Sequence, residues 1–254
     1  MLDKEPTTLP TLRELFRQKP AGVATEVAAA DGMYQGDVEH YFRVGQSALQ
    51  GIRLALLAAG KDTLHRILDL PCGYGRVLRA IRADFPAAQL TACDLETEGV
   101  DFCAREFGAM PVYGHERPEE IVIAGDFDLI FCGSLLTHLE ADRWIAFLQF
   151  FSSHLAPGGI VVFTTHGRWI PERLARGEES YGLEPEQTRR LLDDYARTGF
   201  GFGSYFHSET YGISASTPAW VCNLLAQFPE LRLLTFTERG WDNHQDIIAC
   251  VRPT

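Results

Sequence analysis

Basic residues are too few and too scattered in this sequence to suggest a nucleic-acid partner. Lys and Arg number 23 against 34 Asp and Glu, which gives a net charge of −11. Because binding to DNA or RNA requires a positive surface that neutralises phosphates, we predict no nucleic-acid partner. The sequence also has no apolar run near the roughly 18 residues of a membrane span, so no membrane span is expected.

Paired cysteine motifs are absent as well. The six cysteines include no Cys-x-x-Cys pair and no spacing typical of metal ligands. The first ten residues are polar and contain proline, unlike a secretory signal peptide. These absences predict reduced thiols, a cytoplasmic location and no metal site. Scattered His and Asp residues in the second half could still converge in space and bind a metal.

The most informative stretch is an apolar segment that ends in an acid and two glycines. The residues Leu64, Ile67, Leu68 and Leu70 form a short apolar segment, which is typical of a strand buried on both faces. Asp69 lies at its end, and Gly73 and Gly75 permit a tight turn close to a ligand. Helical spacing of apolar residues begins at Val77. The N–H groups that open this helix then point at the ligand.

A second acid follows the next apolar segment. Gln89 to Cys93 leads to Asp94, about twenty residues after Gly73, a spacing at which a carboxylate binds the hydroxyls of a ribose. Dinucleotides and S-adenosylmethionine share this geometry. A pyrophosphate favours a third glycine, where this chain has Leu78, whereas Asp69 suits the ammonium group of a methionine. The residues therefore favour S-adenosylmethionine, with a nicotinamide-dependent oxidoreductase as the alternative.

Four segments together resemble the ordered motifs of class I S-adenosylmethionine-dependent methyltransferases. They are Asp69-Leu-Pro-Cys-Gly-Tyr-Gly, Asp94-Leu-Glu, residues 127–139 and residues 155–163. The resemblance implies an α/β fold with a doubly wound, seven-stranded Rossmann-like sheet and an antiparallel last strand. It also implies S-adenosyl-L-methionine as cofactor and S-adenosyl-L-homocysteine as product.

The resemblance further implies which residues bind the cofactor. Those expected at the ends of the first four strands are Asp69, Pro71, Cys72, Gly73, Gly75, Asp94, Leu95, His115, Glu116 and Ser134. Pro71 stands where the family usually has its first glycine. Tyr41 and Arg43, before the first strand, are candidates to contact the methionine end, with Arg43 binding its carboxylate. The alternative, which we favour, is that Tyr41 packs in the core and Arg43 is solvated.

Two histidines follow predicted strands at the edge of the sheet where ligands bind. His138 comes after the strand Phe127–Cys132, and His166 comes after the strand Ile160–Thr164. An imidazole there can take a proton from the attacking atom during an in-line methyl transfer. Each histidine could instead pack against or cap a neighbouring element, and both interpretations stay open.

The chain is predicted to divide into an arm and a domain. Residues 1–60 are expected to form a helical arm, with helices near 11–16 and 23–30 and a third that ends at Gly60. Residues 61–254 are expected to form the methyltransferase domain. Its last two strands are predicted to pair antiparallel, the final one beside the fifth strand.

Residues 168–216 exceed the minimal fold and are predicted to form an inserted lid. A helix from Glu184 to Gly199 precedes a β-hairpin rich in aromatic residues. Aromatic faces at the rim of a cleft suit stacking on a sugar, although they could simply seal the lid onto the domain. The candidate substrate residues are Tyr205, His207, Tyr211 and His244. The segments Tyr211-Gly-Ile-Ser and 241–246 resemble a subset of these enzymes found alongside bacterial glycosyltransferases.

We therefore expect an enzyme that methylates a small molecule, preferably a hydroxyl of a saccharide or of a saccharide-linked metabolite. The alternative from a different class is a non-catalytic, cofactor-binding subunit that supports a partner enzyme. A homodimer is compatible with the sequence because homodimers are the commonest oligomers in general, but no feature requires one.

Overall fold

Buried apolar runs form the central strands of this computed structural model, which describes residues 18–254. The strands are β1 (Arg66–Asp69), β2 (Gln89–Asp94), β3 (Met110–Tyr113), β4 (Phe127–Cys132), β5 (Leu155–Thr165), β6 (Phe200–Ser204), β7 (Gly212–Ser216), β8 (Arg232–Trp241) and β9 (Gln245–Val251). Seven of them form one sheet in the order β3-β2-β1-β4-β5-β9-β8, and β6 pairs with β7. Strand β9 is antiparallel to both of its neighbours. The doubly wound sheet with an antiparallel last strand is therefore as predicted.

Helices cover both faces of the sheet. They are α1 (Val38–Ala59), α2 (Leu78–Asp84), α3 (Thr97–Phe107), α4 (Ala141–His154), α5 (Trp169–Ala175), α6 (Pro185–Thr198) and α7 (Pro218–Leu225). Successive strand residues point to opposite faces: Ile67 packs with α1 to α3, and Leu68 packs with α4 and α7. Each such fully buried side chain stabilises the fold by about 1.5–3 kcal/mol. None of the helices within residues 18–254 has the length and apolar character needed to cross a bilayer.

The sheet places a ligand cleft between β1 and β4. These strands are hydrogen-bonded neighbours, with Ile67 opposite Leu129 and Asp69 opposite Phe131. The strand order reverses at this point, and in such sheets ligands bind at the carboxyl ends beside the reversal. The loops after β1, β2 and β4 therefore converge on one cleft.

Helix α1 begins about ten residues earlier than the apolar spacing indicated. The side chain of Asp37 caps it by accepting a hydrogen bond from the backbone N–H of His40 at 2.9 Å. Gly60 ends it in the left-handed conformation, at φ 63°. Residues Val44 and Ile52 belong to the main core. The helix expected near residues 11–16 lies outside the described residues, and the division at residue 60 stays a prediction.

The helix predicted over residues 23–30 is wrong. The chain there is irregular, because its carbonyl groups bind a side chain instead of N–H groups one helical turn ahead. The guanidinium of Arg79 donates from Nη1 to the carbonyl oxygens of Ala24 at 3.1 Å and Glu26 at 2.7 Å. A contact with a residue far away in the sequence thus holds this irregular segment against the core. The local alanine content gives no sign of such a contact.

Residues 168–216 form an insert between β5 and α7. It contains α5, which the sequence did not indicate, then α6 and the β6–β7 hairpin, as predicted. Its own apolar cluster includes Leu174, Leu191 and Ile213. Strand β5 also begins five residues earlier than expected, so residues 157–159 lie within it rather than in a turn.

Candidate active site

A buried acid without a partner lies at the end of β1. Asp69 is only 1% exposed, and within the described part of the chain neither carboxylate oxygen has a hydrogen-bond partner. Burial raises the pKa of this carboxyl well above its usual value, and the neighbouring charge of Asp94 raises it further. Asp69 lines a cavity of about 260 Å³. An unpaired buried carboxyl facing a cavity is suited to a cationic ligand group.

The turn after β1 requires its two glycines. Gly73 and Gly75 have φ values of 48° and 76°. A Cβ on Gly75 would lie 2.3 Å from the ring of Phe107, whereas one on Gly73 would enter open space at the cavity. The backbone N–H of Gly73 donates to Asp94 Oδ2 at 2.7 Å, and the N–H of Glu96 donates to Oδ1 at 3.0 Å. These bonds fix the Asp94 carboxylate at the mouth of the cleft.

The cleft consists of two adjoining cavities. The one beside Asp69 shares four wall residues with a second cavity of about 340 Å³: Pro71, Asp94, Ser134 and Tyr211. The predicted residue Cys72 lines the first cavity, and Leu95, His115 and Glu116 line the second. His115 Nε2 lies 2.8 Å from Glu120 Oε2. The structure thus brings nine of the residues expected at the strand ends to one cleft; Gly75, the tenth, packs behind the turn.

Tyr41 and Arg43, in contrast, do not line either cavity. Tyr41 is buried and donates its hydroxyl hydrogen to Asp31 at 2.5 Å, and Asp31 in turn lines the smaller cavity. Arg43 lies on an open surface with its Nε 3.8 Å from Asp242 Oδ1. The arginine that does line the smaller cavity is Arg76.

Arg76 was not predicted, because the helical spacing of this stretch places it with Arg79 and Arg82 on the side opposite the apolar residues. It follows Gly75 directly and precedes α2, so it still belongs to the turn and points into the cleft. Its guanidinium lies 5.8 Å from the ring centroid of Trp241, and burial lowers its pKa. Within residues 18–254 it has no ion-pair partner within 4.0 Å, so its charge faces the cavity. The position directly after the second glycine was the only available signal.

His138 is held in one tautomer by the insert. Its Nδ1 lies 2.7 Å from the carbonyl oxygen of Gly212. Because a carbonyl only accepts hydrogen bonds, Nδ1 carries the proton, and in the neutral ring Nε2 carries the lone pair. Burial lowers the pKa of His138 below its usual value, an effect partly offset by the bond to Gly212. Among the described residues Nε2 has no hydrogen-bond partner, so it can accept a proton from a ligand.

His166 is equally neutral but lies deeper. Its Nδ1 is 3.1 Å from the carbonyl oxygen of Ser214, and burial, with smaller contributions from His138 and His244, lowers its pKa to about 3. The rings of His138 and His166 are 6.3 Å apart, and His244 lies 5.7 Å beyond. His166 and His244 line neither cavity and form a wall of uncharged rings behind His138 that continues to Tyr181.

The hairpin of the insert covers the cleft with two tyrosines. Tyr211 stacks on His138, with ring centroids 4.8 Å apart and an interplanar angle of 20°, and lines both cavities. The hydroxyl of Tyr205 lies 3.3 Å from His138 Nδ1. His207 does not join them: it is exposed at the hairpin tip, where its ring packs edge-on against Phe206.

Ser134 follows β4 in a backbone conformation that is uncommon for a serine, with φ 61°. Its N–H donates to Thr164 Oγ1 at 2.7 Å, and its hydroxyl accepts from Gln245 Nε2 at 3.0 Å. Thr164 also donates to Gln245 Oε1 at 2.7 Å. This network ties the loop after β4 to β5 and β9. Thr164 and Gln245 were not predicted, since only the sheet pairing brings them to Ser134.

Within residues 18–254 no group of three or more His, Cys, Asp or Glu side chains has an arrangement that could hold a metal ion. Three side chains of the cleft instead complement the polar parts of S-adenosylmethionine. Asp69 and Arg76 offer opposite charges to its ammonium and carboxylate groups, and Asp94 offers acceptors to its ribose.

Known proteins of similar sequence or fold include methyltransferases. A family model for a methyltransferase domain matches residues 68–161. An S-adenosylmethionine-dependent methyltransferase from Clostridium acetobutylicum has a similar structure, with a TM-score of 0.56, 16% identity and coverage of 88% of this chain and 96% of that one. None of the curated proteins compared with the chain matches it.

Two further solved structures are similar at low identity. The N-methyltransferase NodS from Bradyrhizobium japonicum gives a TM-score of 0.51 and 14% identity, with 82% of this chain and 86% of that one covered. The plantazolicin methyltransferase BpumL gives 0.56 and 13%, with 85% of each chain covered. At such identities the likeness shows the fold. The family match indicates a methyltransferase domain over residues 68–161, and the similar structures place it in a methyltransferase fold.

Proposed function

We propose that the protein transfers a methyl group from S-adenosylmethionine to a hydroxyl of a small molecule, with a saccharide or a saccharide-linked metabolite as the acceptor. The observation that carries this proposal is the unpaired, buried carboxyl of Asp69 in a cavity that Arg76 also lines. An ammonium and a carboxylate on one carbon, as in methionine, complement these two side chains.

Each cavity is assigned one part of the cofactor. Asp94, on the wall that both cavities share, accepts hydrogen bonds from the ribose hydroxyls, while the larger cavity holds the adenine beside Leu95 and Leu135. His115 and Glu116 supply polar groups at its rim in place of the acid that many class members have after the third strand. The smaller cavity holds the methionine part.

His138 then acts as the general base. When bound, the cofactor supplies an electrophilic methyl group on a positively charged sulfur. The Nε2 lone pair of His138 accepts the proton of the attacking hydroxyl, and its lowered pKa keeps it unprotonated at neutral pH. His166 supports the ring of His138 from behind. Tyr211 covers the junction of the two cavities and excludes water.

The acceptor is inferred from the site, because the fold does not decide it. The similar structures include an N-methyltransferase and a methyltransferase of plantazolicin. Here the uncharged imidazoles and the rings of Tyr205 and Tyr211 suit a neutral ligand that has both apolar ring faces and hydroxyl groups. The insert of residues 168–216 serves as the lid over this acceptor.

Two measurements test the proposal. Calorimetric titration with S-adenosylmethionine and with S-adenosylhomocysteine should give micromolar binding, whereas NADH should not bind. Asp94→Ala should weaken binding, by about 1.5–3 kcal/mol for each charge-assisted hydrogen bond lost, while the exposed control Asp62→Ala should not. Mass spectrometry should then detect a gain of one methyl group on a member of a panel of methyl glycosides and nucleotide sugars. Binding of NADH alone would overturn the proposal, and tight cofactor binding without methyl transfer would favour a non-catalytic subunit.

A further inference from the structure

Strand β7 of the insert docks directly onto the two histidines of the site. Alternate carbonyl groups of the strand, those of Gly212 and Ser214, accept hydrogen bonds from Nδ1 of His138 and His166 at 2.7 and 3.1 Å. The hydroxyl of Ser214 donates to the carbonyl oxygen of Leu136 at 2.8 Å. The N–H of Ser216 donates to the carbonyl oxygen of His166 at 2.8 Å. Four hydrogen bonds thus join one edge of β7 to the loops after β4 and β5.

These hydrogen bonds determine which nitrogen of each ring carries the proton, as well as the position of the ring. A neutral imidazole carries its proton on either nitrogen, and the hydrogen bond made by one nitrogen fixes the state of the other. A carbonyl oxygen at Nδ1 leaves Nε2 unprotonated in both histidines. We propose that β7 is a positioning element: docking of the β6–β7 hairpin fixes His138 in the tautomer whose Nε2 accepts a proton, so that closure of the insert and assembly of the base are one event.

The groups around His138 do not offer an equivalent way to fix its tautomer. The titratable rings packed against it are His166 from the end of β5 and Tyr205 and Tyr211 from the hairpin. The charged groups that share its cavity are Asp31, Asp69, Asp94 and Arg76. Among the described residues, none of these four is hydrogen-bonded to the His138 ring. Only the Tyr205 hydroxyl, at 3.3 Å, also reaches Nδ1, and a hydroxyl can donate or accept.

A limit on the acceptor follows, which rests on the proposed function. With Nδ1 bonded to the strand, the site offers the nucleophile a hydrogen-bond acceptor and no imidazole donor. It therefore favours a nucleophile that carries its own proton, such as a hydroxyl group. It disfavours nucleophiles without a proton, such as a thioether sulfur, a tertiary amine or a pyridine-type nitrogen.

The tautomer can be measured without cofactor or acceptor. Long-range ¹H–¹⁵N correlation spectra of histidine-labelled protein distinguish the two tautomers, and the variants His138→Gln and His166→Gln assign the signals. We expect the Nδ1–H form for both residues in the full chain. In Gly212→Ala a Cβ would lie 2.0 Å from the carbonyl oxygen of Gly203, so β7 must shift. The ratio of Nδ1–H to Nε2–H tautomer of His138 should then fall about fivefold, the factor for one lost hydrogen bond.

Two further variants separate the strand from its neighbours. Tyr205→Phe removes the second contact to Nδ1 and should leave the tautomer unchanged. Phe206→Ala, an exposed position in the same hairpin, is the control for the Gly212 substitution. An Nε2–H signal for His138 in the wild type, or a switch of tautomer in Tyr205→Phe, would overturn the proposal. The Nδ1–H form together with unimpaired methyl transfer by His138→Gln would leave the docking intact and refute only the role of His138 as base.

Discussion

Binding of the cofactor should release a proton from Asp69. Without a ligand, this carboxyl is buried, has no hydrogen-bond partner among the described residues and lies near Asp94, so its pKa is raised well above the usual value. A bound ammonium group favours the ionised form and lowers that pKa. In the pH range below the raised pKa, the carboxyl must therefore lose its proton when the cofactor binds. Affinity should increase with pH in this range and become constant above it.

The magnitude follows from linkage. Release of one proton changes Kd by up to tenfold per pH unit, or about 1.4 kcal/mol. The titration is restricted to about pH 5.5–7, because an α-amino group loses its own proton near pH 8. Asp69→Asn should bind S-adenosylhomocysteine roughly 10- to 150-fold more weakly, which corresponds to loss of a charged hydrogen bond worth about 1.5–3 kcal/mol. The variant should also lose the pH dependence.

Calorimetry measures both quantities. Titrations in two buffers with different ionisation enthalpies count the protons released, which should approach one for the wild type and for the exposed control Asp62→Asn. The count should be near zero for Asp69→Asn. A wild-type Kd that is constant over this pH range would refute the reasoning, as would a variant that keeps the wild-type slope.

Three other substitutions test separate features. Burial raises the pKa of Asp246 to about 6, so the folded state binds this proton more tightly than the unfolded state. The free energy of unfolding therefore falls as the pH rises towards 6. Asp246→Asn removes this pH dependence. The free energy of unfolding of Asp246→Asn in urea, taken relative to that of the wild type, should increase by about 1.4 kcal/mol from pH 5 to pH 7.5. His138→Gln should lower turnover about 10²- to 10⁴-fold with cofactor affinity in calorimetry nearly unchanged. Arg143 donates to the carbonyl oxygens of Glu116 at 2.6 Å and Thr210 at 3.4 Å across the larger cavity, so Arg143→Ala should speed dissociation of S-adenosylhomocysteine about fivefold in stopped-flow experiments.

Each of these three predictions has an outcome that would contradict it. A stability difference for Asp246→Asn that does not change with pH would mean that this carboxyl titrates normally. Wild-type turnover in His138→Gln would reduce the ring to a packing role. An unchanged dissociation rate in Arg143→Ala would show that the hairpin does not retain the ligand.

The sheet was predictable because its strands are local patterns. Short, largely apolar runs with turn residues at their ends mark the strands at residues 67–70, 89–93 and 127–132. A strand that is buried on both faces requires such a run. The arrangement of these strands in a doubly wound sheet followed from the resemblance of the ordered motifs to class I methyltransferases. Asp69 and Asp94 could be selected for the same reason, since each lies at the end of a strand.

The errors come from contacts between distant residues. The alanines of residues 23–30 favour a helix locally, but Arg79 binds the carbonyl oxygens of Ala24 and Glu26. Arg43 could not be ranked from spacing, because its distance from the cleft depends on how α1 crosses the sheet. The tautomer of His138 depends on a carbonyl 74 residues away, and no sequence motif marks that contact.

The two ends of the insert lie next to each other at the end of β5. The N–H of Ser216 bonds the carbonyl oxygen of His166 at 2.8 Å, so the two ends of the intervening chain are held together. Closing a loop whose ends already meet costs little additional entropy as its length changes, and segments of this kind tolerate replacement. An exchanged segment of different length could therefore alter the acceptor site at little entropic cost, provided that it keeps the β7 carbonyl that bonds His138 and the Tyr211 ring that lines both cavities.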